Sequence, residues 1–316
     1  MSNSDNDSQF ISVNNIQVYY KRVLPTIDNV QNNDHSIVLI HGFLCSTFTW
    51  QKILQPLANR TGCQVIAYDR LAFGLTQRIE QWDKNEINPY TRKGEELLAL
   101  ELFRLLNITS KLHLVSSSSG ATVAYDIAVA NPELVYSIIL ISPYGLHNVH
   151  KMNPISKWLV GTFPVKLLLK FGLKHYLPFK NAYFDENYCK DETVKEGYLR
   201  PIQDDPLFFI GLDFFIEYNG PSETTSIDHF LQIPRKILFI MGENDKLVSK
   251  KDVKEFYQLI LNENKLDETI LQYVSIQQCG HLPQEEKPTE VVGIISEFFE
   301  KARTDSKYCR LNFPFQ

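Results

Sequence analysis

Short runs that are apolar at every position after the first recur along the chain: SIVLI over Ser36–Ile40, QVIAY over Gln64–Tyr68 and KILFIM over Lys236–Met241. A strand of this kind has no polar face, so it must be covered on both sides. Segments of helical period separate the runs. From Thr91 to Leu106, leucines 97, 98, 102, 105 and 106 form one apolar stripe. From Thr289 to Arg303, Val291, Ile294, Ile295, Phe298 and Phe299 repeat the spacing. Further strands are predicted at Phe10–Val13, Ile16–Tyr20, Leu112–Val115, Ser137–Ile141 and Gln272–Ile276. Further helices are predicted from about Thr49 to Asn59 and over Ala121–Ala130. Asn14-Asn15 tolerates positive φ and reads as a two-residue hairpin between the first two strands. Repeated strand–helix order predicts a mostly parallel sheet with helices on both faces.

The rhythm breaks once. Residues 147–231 hold no buried-strand run and are rich in Phe, Tyr and Pro. This segment is expected to be a helical cap inserted into a core made of residues 1–146 and 232–316. Its first part, to Lys180, has six lysines and no acid; the part from Asn181 to Asp228 has eleven acids against three basic residues. Two readings stand open: charges that pair or are solvated, or a basic amphipathic helix around Ile155–Leu173 giving weak peripheral contact with anionic lipid. The run Leu207–Ile216 (LFFIGLDFFI) is expected either to line an acyl pocket, through Phe208, Phe209, Phe214 and Phe215, or to form the core of the cap.

Composition excludes several classes. The chain has 316 residues and a net charge of −5, which argues against nucleic acid as a partner. Five scattered cysteines show no metal-ligand spacing and read as reduced thiols. The polar start MSNSDNDSQ is no signal peptide, and no run reaches the ~20 apolar residues of a membrane span. A cytoplasmic location is the expectation. No nucleotide or metal motif occurs, so no cofactor and no metal are expected.

In open parallel sheets, chemistry gathers beyond the carboxyl ends of the strands. There the sequence places His41-Gly42-Phe43, Ser116 to Gly120 (SSSSG), Gly242-Glu243-Asn244-Asp245 and Cys279-Gly280-His281. A hydroxyl, a carboxylate and an imidazole thus share one edge, in the order Ser, Asp, His. The four serines leave the register open among Ser117, Ser118 and Ser119; Ser118 stands between two small residues, Ser116 two places before it and Gly120 two places after. Asp245 is preferred as the acid, with Glu243 and Asp252 as competitors. Of eight histidines, His281 follows a late strand and a glycine; His113 lies within a strand and reads as structural.

This constellation, with the loop Asp69 to Thr76 (DRLAFGLT) and the late stretch CGHLPQEEKP, resembles the α/β-hydrolase fold family over nearly the whole chain. The resemblance implies an eight-stranded sheet and a triad of Ser118, Asp245 and His281. It also implies an oxyanion hole made by the backbone N–H groups of Phe43 and Ser119, and a His41 that holds its loop. Arg70 reads as scaffold, with substrate ligand as the lesser alternative. A Ser nucleophile argues against the family's epoxide hydrolases and haloalkane dehalogenases, which use Asp. Leu282, where carbon–carbon bond hydrolases often carry Trp, argues for an esterase and is placed in the substrate pocket. The expected function is hydrolysis of a small to medium apolar ester through an acyl-enzyme. The alternatives are a Ser-dependent carbon–carbon bond hydrolase and a ligand-binding receptor on the same fold.

Overall fold

A computed structural model of the chain describes residues 8–26, 34–146, 181–218, 236–264 and 271–304. The lysine-rich first part of the expected cap, residues 147–180, and its end, 219–231, lie outside the described residues.

Eight strands form one sheet in the order β1-β2-β4-β3-β5-β6-β7-β8. They are β1 (Ser8–Val13), β2 (Ile16–Val23), β3 (His35–Ile40), β4 (Gln64–Tyr68), β5 (Lys111–Ser117), β6 (Val135–Ile141), β7 (Lys236–Gly242) and β8 (Leu271–Ile276). β1 and β2 pair antiparallel, as do β2 and β4. The remaining pairs, from β4 through β3 to β8, are parallel. Asn14 and Asn15 both have positive φ, 48° and 66°, as the predicted hairpin requires.

The parallel strands alternate between two buried faces. Val38, Ile40, Ile66, Ile138, Leu140 and Phe239 join one apolar cluster; Ile37, Leu39, Val65, Ile139, Ile141 and Leu238 join the other. The first face is covered by α2 (Arg92–Leu105), α3 (Gly120–Ala130) and α6 (Lys250–Asn264); the second by α1 (Leu54–Thr61) and α8 (Pro288–Thr304). Each fully buried aliphatic side chain contributes about 1.5–3 kcal/mol, so both helical layers are needed to keep the two faces out of water.

Two local expectations change. The helix predicted from Thr49 starts only at Leu54, because a 3-10 turn over Thr47–Trp50 precedes it. Ser46 Oγ accepts the N–H of Phe48, and Asp69 Oδ1 takes that of Thr47, so these donors are satisfied outside an α-helix. Leu97 stands outside the α2 stripe and is exposed; Leu98 and Leu102 are buried.

The described part of residues 147–231 holds α4 (Glu192–Asp204) and α5 (Phe208–Tyr218). These helices lie against loops at the carboxyl ends of the strands. Arg78 of the core pairs with Asp205 at 2.7 Å, and its guanidinium covers the ring of Phe208. A short α7 (Pro283–Glu286) follows β8.

Candidate active site

β5 ends in the four serines. Ser116 and Ser117 are wholly buried, whereas Ser118 and Ser119 are partly exposed. Ser118 sits in the left-handed region at φ 51°, a conformation that costs a residue with a Cβ roughly 1–2 kcal/mol. Its backbone is pinned: Ser118 N–H donates to Ile141 O at 3.0 Å, and Ser118 O accepts from Ala121 N and Tyr144 N, each at 3.1 Å. Two glycines make room for this elbow. A Cβ on Gly120 would lie 2.5 Å from Ile40 O, and one on Gly42 would lie 2.8 Å from Ser118 Cβ. The His41-Gly42-Phe43 turn therefore rests directly against Ser118.

Asp245 follows β7. Its Oδ1 accepts the N–H groups of Leu247 at 2.8 Å and Val248 at 2.9 Å, and its Oδ2 accepts His281 Nδ1 at 2.9 Å. Burial pushes this carboxyl up, but the hydrogen bond and charge of His281 and the two backbone donors outweigh burial and hold it below its ordinary value. With Nδ1 committed as donor, Nε2 is left as the acceptor face of the imidazole. Ser118 Oγ makes no hydrogen bond among the described residues; such contacts commonly tighten only when substrate binds. The competing acids have other partners: Glu243 binds Lys250 and Ser275 Oγ, and Asp252 lies in the first turn of α6.

The loop carrying His281 is itself gripped. His281 N–H donates to Ala182 O at 2.6 Å. The carboxylate of Glu286 accepts Gly280 N and Phe184 N, each at 2.7 Å. Residues 182–184, just before α4, thus hold the backbone of the candidate base.

The N–H groups of Phe43 and Ser119 make no hydrogen bond among the described residues. Leu44, after Phe43, is left-handed at φ 56°. The ring of Phe43 packs on Phe73 and on Phe215 of α5, with centroids 5.6 and 5.8 Å apart. His41 uses both ring nitrogens, Nδ1 towards Gly42 O and Nε2 accepting Arg70 N–H. Burial, then Arg70, lowers its pKa to about 3, so it stays neutral. Arg70 forms a bidentate pair with Glu95 and also donates to His41 O and Ser119 Oγ. It is 2% exposed, and these bonds make it a brace beneath the site.

Of the residues expected to line the substrate pocket, Phe215 is the one brought onto the Phe43 loop. Phe214 turns instead to Trp82 and Tyr90. Phe208 packs on Phe209 and, with Leu44, Phe73, Tyr198 and Ile202, borders a small cleft. Leu282 is buried in a cluster with Cys45, Ala182 and Tyr183.

Three features were not anticipated. Glu95 pairs with Arg70, Arg78 pairs with Asp205, and a fully buried Glu285 collects three hydroxyl donors. The QEE triplet after His281 carried no mark that sets Glu285 apart from a solvated acid, since Gln284 and Lys287 flank the pair. The described cysteines, 45, 63, 189 and 279, carry free thiols. Among the described residues no helix is long and apolar enough to cross a membrane, and no three ligating side chains cluster as a metal site would need.

Residues 37–294 match the model of the alpha/beta hydrolase family. The chain is 25% identical over 302 residues to the uncharacterized hydrolase YugF of Bacillus subtilis (strain 168), covering 92% of this chain and 96% of that one. Its fold is similar to that of a thermophilic esterase from Thermogutta terrifontis (TM-score 0.70, 18% identity, 94% of this chain and 99% of that one). It is also similar to that of a meta-cleavage product hydrolase from Pseudomonas fluorescens IP01 (TM-score 0.66, 20% identity, 93% and 98%). At such identities the likeness to these structures is one of fold. With the family match spanning most of its length, the chain belongs to the alpha/beta hydrolase family and is a hydrolase.

Proposed function

We propose that the protein cleaves a small to medium apolar carboxylic ester through an acyl-enzyme. Ser118 Oγ attacks the ester carbonyl as His281 Nε2 takes its proton. The tetrahedral oxyanion is met by the N–H groups of Phe43 and Ser119, each such donor being worth about 3 kcal/mol of barrier. His281 then gives the proton to the departing alcohol. Water, deprotonated by the same imidazole, attacks the acyl-enzyme and releases the acid. Asp245 keeps the imidazole in the tautomer that presents Nε2 and stabilises its charged form. These three side chains, the two backbone N–H groups and water are the groups the proposed reaction uses.

The observation that supports this best is a half-buried, left-handed Ser118 at the same sheet edge as an imidazole committed to Asp245. Aromatic rings flank the Phe43 loop, which favours an apolar substrate over a charged one. Assay of p-nitrophenyl esters of increasing acyl length tests the reading. Turnover is expected in the wild type and not in Ser118→Ala. Turnover of a vinylogous 1,5-diketone with none on any ester would move the assignment to carbon–carbon bond hydrolysis.

A further inference from the structure

Glu285 is fully buried and plays no part in the proposed reaction, yet it joins three parts of the molecule. Its carboxylate accepts Thr49 Oγ1 at 2.5 Å, Tyr183 OH at 3.0 Å and the hydroxyl of Tyr198. Thr49 belongs to the turn that follows the Phe43 loop, Tyr183 to the strap that holds His281, and Tyr198 to α4. The strap brackets Tyr183 with two contacts to the His281 loop: Ala182 O accepts His281 N–H, and Phe184 N–H donates to Glu286. On the other side, Gln284 Nε2 donates to Thr49 Oγ1 at 2.9 Å and reaches Ser117 Oγ at 3.5 Å, beside the elbow. Lys52, the cation at hand, donates to the main-chain oxygen of Glu285.

We propose, building on the function above, that Glu285 is a positioning residue: its ionised carboxylate ties the strap, α4 and Thr49 together, and so sets the His281 imidazole in register with Ser118. The shell around it consists of donors. An ionised carboxylate can accept from all three hydroxyls, whereas a protonated one donates in place of accepting, so one hydroxyl must give up its donation to Glu285 and turn its hydrogen elsewhere. Misplacing a reacting group by about 1 Å costs up to about a hundredfold in rate, and a loop that loses its anchor is the means by which protonation reaches the chemistry.

Burial raises Glu285 from its ordinary value to about 7, against the pull of Thr49, Tyr198, Tyr183 and Lys52. The neighbouring groups stay neutral through that range: burial pushes the Cys45 thiol up to about 12, and burial with Glu285 pushes Tyr183, Tyr188 and Tyr198 up. Glu286, on the same short helix, is also raised by burial but is held by backbone N–H groups. A carboxyl whose folded value is raised contributes stability that is complete below its unfolded value of 4.5 and is lost as pH rises through about 7. Ionising Glu285 therefore costs the fold stability across that range.

The test is the pH dependence of kcat/KM and of Tm for the wild type, Glu285→Gln and Tyr198→Phe. In the wild type the acid limb should fall more steeply than in Glu285→Gln, which lacks the Glu285 carboxyl. At pH 8, kcat of Glu285→Gln should drop about tenfold with KM changed less than about twofold. Its Tm relative to wild type should rise as pH goes from 5 to 8. Tyr198→Phe removes a donor to the charged form, so its acid limb should move to higher pH. Wild-type turnover with Glu285→Gln matching it in kcat and acid limb overturns the proposal; so does an unmoved limb in Tyr198→Phe should Glu285→Gln not fold. Failure of the underlying function shows differently, as wild-type protein that turns over no ester.

Discussion

The two ends of the sheet each hold a histidine bonded to a side-chain oxygen. At the carboxyl end, His281 Nδ1 meets Asp245 at 2.9 Å; near the amino end, His113 Nδ1 meets Ser137 Oγ at 2.7 Å, and its Nε2 meets His35 at 3.0 Å. A serine–histidine contact is therefore more fully formed at the end where no chemistry is proposed. What differs is the surroundings. His113 is 1% exposed, bedded against Tyr136 and Phe299, with no carboxylate bonded to it among the described residues. Burial first, then His35 and the cations Arg303 and Lys236, hold it well below its ordinary value. His281 has a buried carboxylate, and the serine at its end is left-handed and reachable. Acid partner, strained backbone and access together separate a site from a packed polar pair; hydrogen-bond distance does not.

Serine replacements break this comparison most sharply. Ser118→Ala should lower kcat by roughly 10⁶-fold, while Ser137→Ala should leave kcat within about twofold, both read by ester turnover with circular dichroism to confirm folding. Next in size, Asp245→Asn should cost about 10⁴-fold, because the amide reverses the tautomer that Nδ1 requires. Equal losses in Glu243→Gln would move the acid to the neighbouring turn.

The same comparison extends to the aromatic rings of α5. Phe215 packs on Phe43 and Phe73, whereas Phe214 packs on Trp82 and Tyr90. Shortening Phe215 to Leu should change the ratio of kcat/KM between short and long acyl esters by about tenfold, an effect of roughly 1.4 kcal/mol. Phe214→Leu should leave that ratio unchanged. Equal shifts from both would place the acyl chain between the rings rather than on the Phe43 side.

The smallest effect concerns stability at the amino end. His113 and His35 are both held below 6.5 in the fold, burial being the larger cause for each. Unfolding lets them take up protons, so the stability they contribute is complete above pH 6.5 and is lost as pH falls below it. Denaturant unfolding should show stability falling as pH drops below 6.5, with His113, the more deeply buried, the larger contributor. His113→Gln should flatten the slope without altering the pH profile of ester turnover.

The sequence showed the sheet most clearly where burial leaves no choice. Runs such as SIVLI and KILFIM have the pattern of a doubly covered strand, and they became β3 and β7 with small changes at the ends. The expectation of Ser118, Asp245 and His281 rests on their places after strands together with the family resemblance, and the structure brings His281 to Asp245 and leaves Ser118 left-handed at the same sheet edge. Contacts made across long separations had no such local mark. Glu285 meets Thr49, 236 positions away, and Arg70 meets Glu95 through the packing of α2. Neither pairing follows from spacing. The split of the first helix was hidden for the same reason, since the donor at Thr47 is claimed by Asp69 from another loop.

Covalent labelling tests the central claim most directly. The purified protein should be treated with a fluorophosphonate and the adduct located by peptide mass spectrometry. One adduct is expected, on Ser118, with loss of ester turnover in step with labelling and no adduct on Ser117, Ser119 or Ser137. Labelling at Ser119, or ester turnover that survives full modification of Ser118, would contradict the assignment.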